Sequence, residues 1–184
     1  MSHQTILVLD FGSQYTQLIA RRLRELSVYS EVVPFNIPFE TLRAKNPMGI
    51  ILSGGPRSVS DEDAPKCVPQ LFELGIPVLG ICYGMQLMTD LLGGEVRRSG
   101  HREFGHALVH VAGNGGGGSR LFSQIPSDLR VWASHGDDVT SVPPGFSVAA
   151  TSTTVPIAAM EAPDRLLYAL LFHPEVAHTD HGVD

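Results

Sequence analysis

Three short, unbroken apolar runs constrain this chain more than anything else in it: residues 5–9 (Thr-Ile-Leu-Val-Leu), 49–52 and 77–81. Each has the length of a strand. A strand without polar alternation is buried on both faces, as happens when helices cover a parallel sheet. The residues between the runs supply such helices. Tyr15, Leu18, Ile19, Leu23 and Leu26 recur at three- and four-residue spacing, with Arg21, Arg22, Arg24 and Glu25 on the other faces. A short strand at 31–33 and a short helix at 39–45 continue the alternation. After the run at 77–81, Met85, Leu87, Met88, Leu91 and Leu92 form a further helical pattern, closed by Gly93 and Gly94. Alternating strands and helices imply parallel pairing through right-handed crossovers. Beyond Gly94 the runs are shorter and alternate, at 104–111, 130–133, 146–151, 157–160 and 166–172, which reads as mixed strands and hairpins. The expected fold is a three-layer α/β architecture: an open, mostly parallel sheet flanked by helices, with additional mixed or antiparallel strands. At 184 residues the chain suits a single domain, taken here as residues 5–182.

Composition excludes several classes. A formal charge of -6 argues against broad contact with phosphate backbones, so nucleic acid is not an expected partner. No apolar run approaches the roughly 20 residues that span a bilayer, so no membrane partner is expected. The N-terminus lacks a basic stretch followed by an apolar segment, and two cysteines make no disulfide framework; a reducing cytosol is the expected setting.

Chemistry concentrates in Gly80-Ile81-Cys82-Tyr83-Gly84-Met85-Gln86. A residue on a sharp turn between a buried strand and a helix is lifted above the sheet, and flanking glycines permit the tight backbone. The helix N-terminus beside it favours a thiolate. Cys82 is therefore a candidate nucleophile, although this segment alone equally allows a small core cysteine. Cys67, between charged residues and Pro69, has no such setting and is read as structural. The second element is His173-Pro174-Glu175, after the last apolar run. Residues two apart in an extended segment project to one side, so Glu175 can orient the imidazole of His173. The third is Ser53-Gly54-Gly55-Pro56, at the end of the run 49–52, where a glycine N–H can turn toward a ligand. Alone, each of these two is also compatible with an ordinary turn. Together they assemble a nucleophile, a base with its orienter, and oxyanion donors at the carboxyl ends of parallel strands, where open sheets bind ligands.

In that order and approximate spacing, the three elements resemble the class I glutamine amidotransferases. The likeness extends over Leu9 to Gln17, Arg102-Glu103-Phe104-Gly105, Ser134-His135-Gly136-Asp137 and Phe172 to Thr179, nearly the whole chain. It implies that Cys82 attacks the carboxamide of glutamine and that Gly55 and Tyr83 hold the oxyanion. His173 would protonate the departing ammonia, with Glu175 behind it. Gly54, Gln86, Ser134, His135 and Gly136 would bind the substrate. No cofactor or metal is implied for this domain. The further segments resemble one branch of the family, in which ammonia passes to an ATP-pyrophosphatase unit that activates xanthosine monophosphate with Mg-ATP and aminates it. That unit is not within these residues, so the expectation is a piece of a longer two-domain chain. The alternative is a separate subunit, and a homodimer is compatible with the whole enzyme. Leu170-Leu171 departs from the valine and glutamine common there. Rival readings are an amidotransferase serving another acceptor, a γ-glutamyl or cysteine hydrolase on the same fold, and an idle regulatory domain.

Other signals have simpler readings. Asp10-Phe11-Gly12 matches a kinase motif without its companions and is read as a turn. The glycines at 115–118 lack the lysine of a phosphate cradle and are read as a loop. His178 and His181 lack further ligands for a metal and are read as a polar, partner-facing segment. Trp132 and Phe104 are read as core or pocket wall.

Overall fold

The computed structural model describes residues 4–113 and 118–184, the side chains of residues 100–102 excepted. The side chain of Arg102 and the glycines at 115–117 therefore fall outside what is described. In chain order the elements are β1 (Thr5–Asp10), α1 (Thr16–Glu25), β2 (Tyr29–Pro34), α2 (Phe39–Ala44), β3 (Gly49–Leu52), β4 (Val78–Ile81), α3 (Tyr83–Leu91), β5 (Glu95–Val111), β6 (Asp128–Ser141), β7 (Ser147–Ser152), β8 (Ala159–Ala162) and β9 (Leu167–Leu170). One sheet contains every strand, in the order β2-β1-β3-β4-β9-β8-β7-β5-β6. Its first five strands run parallel, and β8, β7, β5 and β6 are added antiparallel. Among the described residues no helix is long and apolar enough to cross a membrane.

The unbroken apolar runs are explained by their two covered faces. On β1, Val8 packs with Ile19 of α1 and with Ile81, whereas Leu7 and Leu9 point the other way into the larger core with Leu42 of α2 and Met85 and Met88 of α3. Alternation of side chains across a strand thus sends neighbouring residues to opposite layers. The arginines read on the polar side of α1 have further uses. Arg22 pairs with Glu25, and its Nε donates to the carbonyl of Glu175 at 3.0 Å, tying this helix to the segment after β9.

The carboxyl half departs from expectation in length. β5 begins at Glu95, nine residues before the run at 104–111, and β6 continues to Ser141. The early part of β5 is charged and carries no alternation. It pairs nonetheless: Arg98 opposes Asp137 and Glu103 opposes His135, so residues 99–102 bulge against the single Gly136. A 3₁₀ turn at Pro69–Glu73 is a further element that the apolar pattern did not announce. Behind the loop after residue 118, the buried carboxylate of Glu161 accepts from Ser119 Oγ and from the N–H groups of Arg120 and Leu121, at 2.8–3.2 Å.

The strand-to-helix turn at Cys82 depends on contact between α3 and β3. A β-carbon on Gly84 would lie 2.4 Å from the carbonyl oxygen of Leu52. Gly84→Ala should push α3 off the sheet and lower stability by about 1–3 kcal/mol. Urea unfolding measures this, and an unchanged midpoint would show that the helix can move freely.

Candidate active site

Cys82 is the residue between β4 and α3, with φ at +51° and ψ at −105°. Such a conformation is costly for a residue with a β-carbon and persists only where its surroundings impose it. Here they do. The N–H of Cys82 donates to Leu170 O at 2.8 Å, while its carbonyl accepts from Met85 and Gln86 and starts the helix. The N–H of Gly84 is taken by Ser53 O at 3.1 Å. Of the first four helical N–H groups, that of Tyr83 is left without a partner among the described residues, beside the thiol. The Tyr83 side chain faces the other way, packed on Phe11 with its hydroxyl donating to Pro65 O.

The end of β9 brings His173 to this turn. Its Nδ1 stands 2.8 Å from Glu175 Oε1, and both side chains are almost fully buried. The ring edge-packs on Tyr15, with centroids 5.1 Å apart. Gly54 lies behind the pair: a β-carbon there would be 3.1 Å from His173 Cε1 and 3.7 Å from Cys82 Cβ, so a side chain would crowd the imidazole. Burial opposes a charge on His173, but hydrogen bonds with the Cys82 and Glu175 side chains outweigh it, and the imidazole pKa rises to about 10. The arrangement pairs the thiol with an oriented imidazole able to exchange a proton with it.

The cleft above the pair encloses about 660 Å³. Cys82, His173, Gly55, Gln86, Ser134, His135 and Gly136 all line it. Gly54 does not: it supports the pair from behind. His135 also differs from expectation. Its imidazole is turned into the protein because odd positions of β6 face inward, and it lies between Glu103 at 3.2 Å and Asp138 at 3.4 Å. Burial nevertheless holds its pKa below the usual histidine value, against the pull of those carboxylates. The charged residues of the cleft were missed by the sequence reading. Asp61 reaches Arg98 at 2.6 Å and Arg57 at 3.8 Å, and Asp137 accepts a bond from Ser58. All but Asp137, which lies on β6, sit in loops or in the aperiodic start of β5, where no pattern marked them. Tyr15 was read as helix core and instead touches the imidazole.

Two of the simpler readings, the turn at Asp10 and the cleft wall at Phe104, hold. Asp10 Oδ1 accepts from Gly12 N–H at 2.9 Å, which makes Asp10-Phe11-Gly12 a turn. Phe104, exposed, lines the cleft. Trp132 is half-buried and covered by the exposed His178, with ring centroids 4.9 Å apart. Among the described residues no cluster of His, Cys, Asp or Glu is placed to hold a metal ion.

Residues 7–184 match the family Glutamine amidotransferase class-I. The chain belongs to that family. It is 50% identical over its full length to a GMP synthase [glutamine-hydrolyzing] from Syntrophomonas wolfei, and 54% identical over 182 residues to one from Bacillus cytotoxicus. It spans 35% of the length of each of these relatives. Among solved structures, one described as a GMP synthase subunit from Thermoplasma acidophilum superimposes with a TM-score of 0.87. Identity to it is 34%, over all of this chain and 90% of that one. A glutamine amidotransferase from Thermotoga maritima, 24% identical, shares the fold with a TM-score of 0.75 over 96% of this chain and 78% of that one.

This glutamine amidotransferase domain holds two buried thiols in different settings. Desolvation pushes Cys67 up to about 12, which leaves it a neutral thiol at ordinary pH. Brief iodoacetamide treatment of the folded protein at pH 7.5 should alkylate Cys82 at least about tenfold faster than Cys67, because the thiolate is the nucleophile. Peptide mapping reads the ratio, and equal labelling would contradict the assignment. His173 gives a second expectation. Its folded pKa lies above the ordinary 6.5, so the stability it contributes is fully present below that pH and lost as pH rises toward about 10. The urea midpoint should therefore fall more steeply between pH 7 and pH 10 in the parent than in His173→Gln. Parallel curves would show that the imidazolium is not held.

Proposed function

We propose that this domain hydrolyses glutamine to glutamate and ammonia, and that the ammonia aminates xanthosine monophosphate to GMP in a synthetase unit. The observation that carries the first part is Cys82, held at positive φ on the β4–α3 turn, against a His173 that Glu175 orients. In this reading the Cys82 thiolate adds to the carboxamide carbon, and the resulting oxyanion lies between the N–H groups of Gly55 and Tyr83. The His173 imidazolium gives its proton to the amide nitrogen, the carbon–nitrogen bond breaks, and ammonia leaves a γ-glutamyl thioester on Cys82. His173, now neutral, takes a proton from water as that water attacks the thioester, and the thiolate departs from glutamate. Glu175 fixes the imidazole tautomer throughout.

Recognition follows from the cleft. Gln86 commits its Nε2 to Asp137 O at 2.9 Å, leaving the amide oxygen as the acceptor it offers a carboxamide N–H. Ser134 and Gly136 line the same wall through the outward positions of β6, with His135 contributing main chain alone. The zwitterionic end of glutamine faces the charged mouth around Arg57, Asp61 and Arg98. The second part of the proposal rests on the whole-length likeness to proteins named GMP synthase, which extend well beyond the matched region. A unit there would use Mg-ATP; this domain carries out its chemistry with its own side chains.

Glutamate release in the presence of the synthetase unit, xanthosine monophosphate and Mg-ATP tests the reading. Cys82→Ala and His173→Ala should each lower kcat by at least about 10³-fold with folding intact. Glutaminase activity that survives Cys82→Ala would overturn it. So would hydrolysis of γ-glutamyl peptides with glutamine untouched.

A further inference from the structure

The main chain of His173 is fastened at both ends to one residue of β6. Its N–H donates to Trp132 O at 3.0 Å. Its carbonyl accepts from Thr179 Oγ1 at 2.6 Å, and that same hydroxyl oxygen accepts from Trp132 N–H at 3.0 Å. The three bonds close a ring through His173, Trp132 and Thr179. β6 is the outermost strand, so Trp132 presents its N–H and C=O away from the sheet, where a further strand would otherwise pair. The segment after β9 covers that edge while turning, and Asp180 N–H adds a bond to Arg130 O at 2.9 Å. At the position of Thr179 no main-chain group could both accept from Trp132 and donate to His173. A hydroxyl does both, which a methyl, a carboxylate or an ammonium does not. Thr179 is buried, so neither bond competes with open solvent.

The consequence concerns distance. Cys82 Sγ donates to Ser134 O at 3.4 Å, and Ser134 lies two residues beyond Trp132 on the same edge. Successive outward carbonyls of a strand are spaced about 7 Å apart. One strand edge thus holds the thiol at one outward position and the histidine main chain at the preceding one.

We propose that Thr179 is a positioning residue, whose hydroxyl fixes the His173 main chain on β6 and so sets the imidazole against the Cys82 thiol. The inference rests on the reading of Cys82 and His173 as the working pair. Thr179 touches neither substrate nor reacting atoms and acts only through His173.

The test measures the rate at which a chloroketone analogue of glutamine modifies Cys82, by intact mass, from pH 6 to 10. Parent, Thr179→Val and Thr179→Ser are compared, with far-UV dichroism and the urea midpoint as folding controls. Thr179→Val should react about 10²-fold more slowly at pH 7, the order expected for a reacting group displaced by about an ångström, with its rate profile moved to higher pH. Thr179→Ser retains the hydroxyl and should stay within about threefold of the parent, with the profile in place. Should Thr179→Val fail to fold, Thr179→Ala takes its place in the comparison with serine. A folded Thr179→Val or Thr179→Ala with the parental rate and pH profile overturns the inference, as does a serine variant as slow as valine. Failure of the parent itself to be modified at Cys82 would instead overturn the glutaminase reading beneath it.

Discussion

The outer edge of β6 is the constraint on which the site depends. An outermost strand leaves a row of main-chain groups unpaired, and proteins cover such rows to prevent pairing with other chains. Here they are covered by the pieces that carry the chemistry. Arg130 O receives Asp180, Trp132 O receives His173, Ser134 O receives the Cys82 thiol, and Asp137 O receives the Gln86 amide. The antiparallel extension of the sheet therefore does more than lengthen the core. It supplies a rigid rail that brings the β4–α3 turn and the segment after β9 to a common surface.

Two local strains are sustained by that arrangement. Cys82 occupies a backbone region that costs on the order of 1–3 kcal/mol for a residue with a side chain. His173 and Glu175 are buried at 3% and 4% exposure, where a charge is tolerated only if its partners are close and well aimed. The buried pair partners itself, but the main chain that carries each strain is held from remote parts of the sequence. The Cys82 turn is held by Leu170 and by the packing of α3 on β3, and Glu175 is braced through its carbonyl by Arg22 of α1. Parallel core, antiparallel rail and helix thus meet at a few atoms, and the positive φ and raised imidazole pKa are the signs of it.

Much of this was legible in the residues, for physical reasons. The parallel strands β1, β3 and β4 announced themselves because burial on both faces removes polar alternation, and α1 because one stripe of it is apolar; β9, whose run read as one of the mixed strands, is parallel to β4. Cys82, His173 and Glu175 were legible because tight turns demand glycines and because residues two apart share a side. What stayed hidden depends on contacts remote in sequence. The first half of β5 is charged and bulged, so it shows no strand period, and its length followed only from pairing with β6. Gly54 stood in the expected segment, yet its supporting place behind His173 and Cys82 appeared only with the fold. The inward turn of His135 depended on the phase of β6, and Thr179 on the way residues 173–180 fold back over Trp132. No local pattern encodes either.

In the proposed reaction Cys82 receives the carboxamide end of glutamine, and the N–H groups of Gly55 and Tyr83 are the proposed oxyanion donors. A crystal structure of the protein after reaction with a carbonyl-bearing electrophilic glutamine analogue tests it most directly. The account predicts continuous density from Cys82 Sγ, with the carbonyl oxygen of the adduct within hydrogen-bond distance of both N–H groups and its amino-acid end toward Arg57 and Arg98. An adduct on Cys67, or one on Cys82 whose carbonyl oxygen points away from Gly55 and Tyr83, would contradict it.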